Sequence, residues 1–130
     1  MFTTFEDIEA WQEARALANA CRVFLHRARK QHDYGWADQL SNALLSVMAN
    51  IAEGNDAKTN AEFVGFLGYA KRSTAECRSH FYFGLDAGYI QKDELDDVMK
   101  RAKKIGAQLA RLMSYLHSAP DKKMRMATTS

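Results

Sequence analysis

A single proline, Pro120, and seven glycines are all that this sequence offers to break a helix. Nothing before residue 120 fixes φ or removes a backbone donor, and Ala, Leu, Lys, Arg and Glu are plentiful. Helix is therefore expected nearly throughout. Long apolar runs are missing too. None approaches the roughly 20 residues that cross a bilayer, so no membrane partner is expected. The start, Met1-Phe2-Thr3-Thr4-Phe5-Glu6-Asp7, lacks the basic and apolar regions of a signal peptide and points to a cytoplasmic protein. Cysteine is scarce. Cys21 and Cys77 stand on the apolar faces of separate helices and read as reduced core residues rather than a disulfide or a metal pair. There is no Gly-x-Gly-x-x-Gly loop, no Walker lysine, no His-Glu-x-x-His and no paired-cysteine zinc spacing. His26, His32, His80 and His117 are scattered. Glu53 and Glu76 are both assigned inward positions, but the Glu-x-x-His pairs of di-iron bundles are absent. These absences argue against an enzyme and against a metal or other cofactor.

What is present fits one domain. The chain has 130 residues, is 47% hydrophobic and 26% charged, and carries a formal charge of +2, too small to dictate a nucleic-acid partner by itself. The first helix begins acidic, with Glu6, Asp7, Glu9 and Glu13, and ends basic, with Arg22, Arg27, Arg29 and Lys30. The last helix repeats this order, and the helix dipole explains much of it.

A second scarcity is local. Between Lys30 and Lys58 there is no lysine or arginine, so this part reads as interior. It contains Leu40, Leu44, Leu45, Val47 and Met48, with Ser46, Asn50 and Glu53 at helical spacing. Gly54 is expected to end the helix in the left-handed conformation. Glu53 opposes the dipole in the last turn and is expected to find Lys71, Arg72 or the amides of the next helix. The four residues Ser46, Asn50, Glu53 and Gly54 form either a buried polar cluster that fixes the corner or a ligand site.

Four amphipathic segments follow from periodicity. Helix 1 is expected from about Glu6 to Lys30, opened by a Thr4–Asp7 capping box. The turn over Gln31 to Gly35 leads to helix 2, from about Trp36 to Glu53. Thr59 and Glu62 form a capping box for helix 3, which runs to about Ala87 with Gly88 as its stop. Helix 4 spans about Lys92 to Ser118, with Leu95, Val98, Ala102, Ile105, Leu109, Leu112 and Leu116 alternating by three and four. The expected fold is all-α: an antiparallel up-down-up-down four-helix bundle over 1–118 and a flexible basic tail over 119–130. Phe66, Tyr69, Tyr82 and Phe83 fall outside the core stripe of helix 3 and are candidate oligomer contacts.

Several of these stretches resemble one family. Phe5 to Ala14, with its aromatic, acidic turn and Trp11-Gln12 step, is similar to the opening of the 23S rRNA intervening-sequence protein family. Gln39, Ala43, Ser46 and Asn50-Ile51-Ala52-Glu53-Gly54 resemble its second helix. Thr59 to Phe63, Phe66-Leu67, Ala70, Ser73 and Glu76 resemble its third, and Leu85 to Ile90 its link into the fourth. The resemblance implies a four-helix bundle, ring-shaped homopentamers and no enzymatic activity. Related accessory proteins of diversity-generating retroelements use a basic surface on a reverse transcriptase and nucleic acid. Leu40-Ser41-Asn42 departs from the basic residues common at that place in the family.

Two functions are therefore expected. One is an adaptor that binds RNA or DNA by a weakly sequence-specific basic surface, with a protein such as a reverse transcriptase as a further partner that the resemblance implies. That surface would comprise Lys100, Arg101, Lys103, Lys104 and Arg111, Lys71, Arg72 and Arg78, and the tail cations Lys122, Lys123 and Arg125. The alternative is a protein-interaction scaffold with no nucleic-acid role.

Overall fold

The apolar alternation of the last helix leads directly into the core. Leu95, Val98, Ala102, Ile105, Leu109 and Leu116 are buried and Leu112 is half-buried, all on one side of a helix spanning Lys92–Ser118. The computed structural model describes residues 4–121, and all regular secondary structure among them is helical. A 3-10 turn, Phe5–Asp7, precedes α1 (Glu9–Ala20) and α2 (Arg22–Lys30). Then come α3 (Tyr34–Asn55), α4 (Asn60–Asp86) and α5 (Lys92–Ser118). The fold is all-α, with four helical lengths when α1 and α2 are taken as one path. α1 packs on α3 and α5, α3 on α4, and α4 on α5, so the packing closes on itself. No described helix is long and apolar enough to cross a membrane.

Helix 1 is not continuous. Cys21 interrupts it with φ −82° and ψ −10°, yet its N–H still bonds Leu17 O at 3.0 Å and its own carbonyl accepts from Phe24 and Leu25. The path bends rather than turns away. The expected Thr4 cap also differs. Thr4 Oγ1 bonds the Asp7 carboxylate at 3.3 Å, side chain to side chain, while Ile8, buried, occupies the N-cap of α1 and gives no side-chain cap. Cys21 and Cys77 are free and fully buried. Burial pushes both thiols up, Cys77 to about 12, so neither is a thiolate at neutral pH.

The reversal after α2 uses His32 (φ 62°) rather than Gly35, which lies inside α3. Asp33 N donates to Ala28 O at 2.9 Å, and the Asp33 carboxylate accepts from Trp36 N at 3.2 Å. The turn and the cap thus start α3 two residues earlier than its apolar stripe suggests. Thr59 caps α4 as expected, accepting from Glu62 N at 3.2 Å. Gly88 has φ 86° after α4, as expected of its stop. At the far end Asn60 Nδ2 donates to the carbonyls of Leu116, Ala119 and Pro120, and Asn60 N donates to Asp121. Residues 119 to 121 of the expected tail are therefore tied to α4. Residues 122–130, with Lys122, Lys123 and Arg125, lie outside the described residues.

One clasp joins three segments. Arg27 donates to both oxygens of Glu94, at 2.7 and 3.1 Å, and to Tyr89 O at 3.0 Å. Glu94 also accepts from Gln91 N at 2.9 Å, completing the capping box of α5. The Arg27 hydrogen bonds hold the Glu94 carboxyl below its ordinary value. A depressed acid stabilises the fold above its unfolded pKa and loses that contribution as pH falls through the lower folded value. Glu94→Gln should therefore unfold less steeply than the parent as the pH is lowered below about 4.5, the ordinary carboxyl value. At neutral pH it should be weaker by about 1 kcal/mol. Urea titrations at several pH values check this, and identical acid limbs would show that the clasp carries no proton-linked stability.

Candidate functional site

The polar residues of α3 meet α4 in a shallow groove. α3 and α4 approach closely because Gly54 has no side chain. A Cβ there would lie 2.8 Å from Phe63 Cδ1 and 3.1 Å from Phe66 Cβ. Gly54 is thus a buried residue inside the helix, not the left-handed stop expected of it; α3 runs on to Asn55 with Asp56 as its C-cap. Along the contact, Ser46 Oγ meets Ser73 Oγ at 2.8 Å, and Asn50 Nδ2 donates to Ser46 O and Oγ at 2.9 and 3.0 Å. Ser46 and Asn50 do form a polar cluster, but it is half-buried and opens outward.

Glu53 corrects a second expectation. It is exposed, and it pairs with neither Lys71 nor Arg72. Its carboxylate projects to solvent one turn below Asn50, so burial never demands a counter-charge. Glu76 is exposed as well, its carboxylate 3.9 Å from His80 Nε2. The two acids do not converge inside the bundle.

The groove encloses about 440 Å³ and is lined by Ser46 and Asn50 from α3 and Phe66, Tyr69, Ser73 and Glu76 from α4. Arg72 borders it, its guanidinium 4.5 Å from the Tyr69 ring centroid. Tyr69 and Phe83 are each 55% exposed and stand two heptads apart, on the same stripe of α4. Tyr82 is equally exposed but one residue away, about 100° around the helix. Of the four aromatic candidates, Phe66 and Tyr69 line the groove, Phe83 continues the stripe of Tyr69, and Tyr82 faces another side. On α3, Leu45 is 62% exposed. The segment without cations is therefore partly an outer face, not only interior.

The basic candidates divide. Arg101 pairs with Asp97 at 3.0 Å and Lys104 with Glu13 at 3.1 Å, so both are locally neutralised. Lys71, Lys100, Lys103 and Arg111 are exposed, and Arg78 is half-buried with its Nε lacking a partner among the described residues. Arg111 lines a second cavity of about 290 Å³ at the start of α1, beside Glu9 and Gln108. Gln108 carries no sequence signal that marks it. It is buried, and its Oε1 has no partner among the described residues. Ser73, the partner of Ser46, lies 27 positions away, beyond any local pattern.

Comparison with known proteins agrees with the all-α fold. A crystal structure from Bacteroides thetaiotaomicron VPI-5482, described as a protein of unknown function from the S23 ribosomal protein family, superposes with a TM-score of 0.73 at 17% identity. The match covers 80% of this chain and 97% of that one and concerns the fold alone. No curated protein matches the sequence. Residues 6–111 match the family described as 23S rRNA-intervening sequence protein. The match runs from within the 3-10 turn through α1 to α4 and most of α5, and the chain belongs to that family.

Proposed function

We propose that this protein is a non-enzymatic, self-assembling adaptor whose α3–α4 face is the subunit contact. The observation that carries the reading is the exposure of Tyr69 at a groove whose α3 bank has no cation, with Phe83 equally exposed on the same stripe of α4. Large aromatics at 55% exposure are costly to leave in water and suit the centre of an interface. The reading takes the four helical lengths as an antiparallel up-down-up-down bundle in a cytoplasmic ring, a homopentamer by family resemblance. The closed packing order supports such a bundle.

The test is native mass. Tyr69→Ser with Phe83→Ser changes two exposed side chains and should leave helicity intact while taking the assembly to a 14.7 kDa monomer. A parent protein that is already monomeric, or a double variant with unaltered mass, overturns the reading.

A second function fits the same assembly. Lys71, Lys100, Lys103 and Arg111 are exposed without an ion pair among the described residues, which supports binding to nucleic-acid phosphates. Repetition around a ring multiplies this field. Lys100→Glu, Lys103→Glu and Arg111→Glu together should weaken binding of a labelled RNA hairpin, read by fluorescence anisotropy, with native mass unchanged. Undiminished affinity in that variant removes these residues from the function.

A further inference from the structure

A cation-rich run with no acid in it lies elsewhere in the chain. From Glu13 to Asp33 the sequence has no intervening acid, yet it carries Arg15, Arg22, Arg27, Arg29 and Lys30, with His26 and His32. Arg27 is committed to Glu94 and Tyr89. The others are exposed. Arg15, Arg22 and Arg29 are spaced by seven, so they fall on one stripe along α1 and α2, and the bend at Cys21 keeps the helical path between them.

None of the three is consumed structurally. Arg15 lies 6.0 Å from the Trp11 ring centroid. Arg22 donates to the neutral Asn19 side chain at 3.0 Å. Arg29 reaches Asp38 only at 3.8 Å, with that carboxylate 69% exposed. A helix dipole calls for cations in the last turn. It accounts for Arg29 and Lys30; it does not account for Arg15 or Arg22, which stand far from the end of α2. By contrast, the cations of α5 share their helix with Asp93, Asp96 and Asp97, and Lys92, Arg101 and Lys104 pair with acids.

The stripe also borders a cleft of about 220 Å³ between α2 and α3, with Arg22 and Arg29 on one bank and Ser41 and Leu45 on the other. Guanidinium groups grip phosphate through two parallel N–H donors, which lysine cannot do. Seven residues of helix advance about 10 Å, close to three base-pair steps of a duplex at roughly 3.4 Å each. Three such arginines could take phosphates at intervals along a strand, with the sugar edge against Leu45 and the Ser41 hydroxyl.

We infer that the Arg15–Arg22–Arg29 stripe of α1 and α2 is a binding surface for the phosphate backbone of RNA or DNA. It rests on the nucleic-acid part of the function proposed above but uses different residues. The α1–α2 stripe, rather than the cations of α5, is then the principal anchor.

The experiment compares three full-length proteins by fluorescence anisotropy with a labelled RNA hairpin and an unstructured single strand, across a salt series. They are the parent, the triple variant Arg15→Gln, Arg22→Gln and Arg29→Gln, and the α5 variant described above. The expected result is binding by the parent that weakens steeply with salt. The triple glutamine variant should lose at least about tenfold in affinity at low salt, its log–log salt slope falling by about 2 to 3, at roughly 0.7 to 0.9 per phosphate contact. Its helicity and native mass should match the parent. Parent-like affinity in the glutamine variant, with loss confined to the α5 variant, overturns the stripe and leaves the broader reading standing. A parent that fails to bind at low salt overturns both. An altered native mass makes the stripe a subunit contact and overturns the inference. So does equal displacement of the RNA by polyglutamate at matched charge, which would point to an acidic protein instead.

Discussion

Trp36→Ala should lower the unfolding free energy by about 4 kcal/mol, within the range for emptying a buried indole site. Trp36 is 7% exposed and closes the end of the bundle where α3, α4 and the α4–α5 loop meet. Its Nε1 donates to His80 O at 3.0 Å, and its ring centroid lies 5.1 Å from that of Tyr89. Gly84 sits directly beneath the ring, where a Cβ would come 2.6 Å from Trp36 Cζ2. The same corner holds Tyr89 OH on the Asp33 carboxylate at 2.8 Å, and Asp33 caps α3. Truncation removes the ring contact and leaves a cavity above a glycine, which has no side chain to fill it. Trp36→Phe keeps most of the apolar area and loses the indole N–H. Because His80 O lies within helix α4, it keeps a backbone donor, and the loss should be only about 1 to 2 kcal/mol. Urea unfolding followed by far-ultraviolet circular dichroism measures both. Equal losses in the two variants would mean that the hydrogen bond, not the volume, holds the corner.

The parts of this fold that are legible in the sequence are those with one-sided patterns. The bounds of α5 follow from heptads ending just short of Pro120, and Thr59 and Gly88 bracket α4 because a cap and a left-handed stop each need a particular residue type. The reversal at His32 is not legible. A histidine takes positive φ there because Asp33 supplies the cap and the bond to Ala28 O, and no local composition announces that combination. The stretch without cations suggests interior, but it still carries Asp33, Asp38, Glu53 and Asp56, and lack of cations does not by itself decide which residues are covered. Leu45 at 62% and Glu53 in solvent are not. In the candidate site, the spacing of four between Ser46 and Asn50 is visible in the sequence, whereas Ser73 needs the helices to be docked first. The arginine stripe is hidden by a correct but incomplete argument. The dipole justifies basic residues late in a helix and so covers the whole gradient, until exposure separates Arg15 and Arg22 from the final turn.

Gly54→Val should destabilise the protein by about 3 kcal/mol, and its alanine counterpart by less, because over-packing at a close helix contact competes with improved helix propensity. The atoms it meets are poorly placed to yield. Phe63 is 4% exposed and held in the core, and the second contact is Phe66 Cβ, which moves only with the backbone of α4. Two other glycines make the sign decisive. Gly65 is exposed within α4, and a Cβ added there would meet nothing within 4 Å, so Gly65→Ala should gain up to about 1 kcal/mol. Gly88 has equally open space but φ 86°, so Gly88→Ala should lose about 1 to 2 kcal/mol to backbone strain alone. A gain for Gly54→Ala like that at Gly65 would mean that α3 and α4 have room to spare. A loss establishes the contact that sets their separation. That separation also positions Phe66 and the Ser46–Ser73 bond in the groove. If the α3–α4 face is the subunit contact, Gly54→Val protein that remains helical should show a reduced native mass, since a displaced Phe66 disturbs the groove from within.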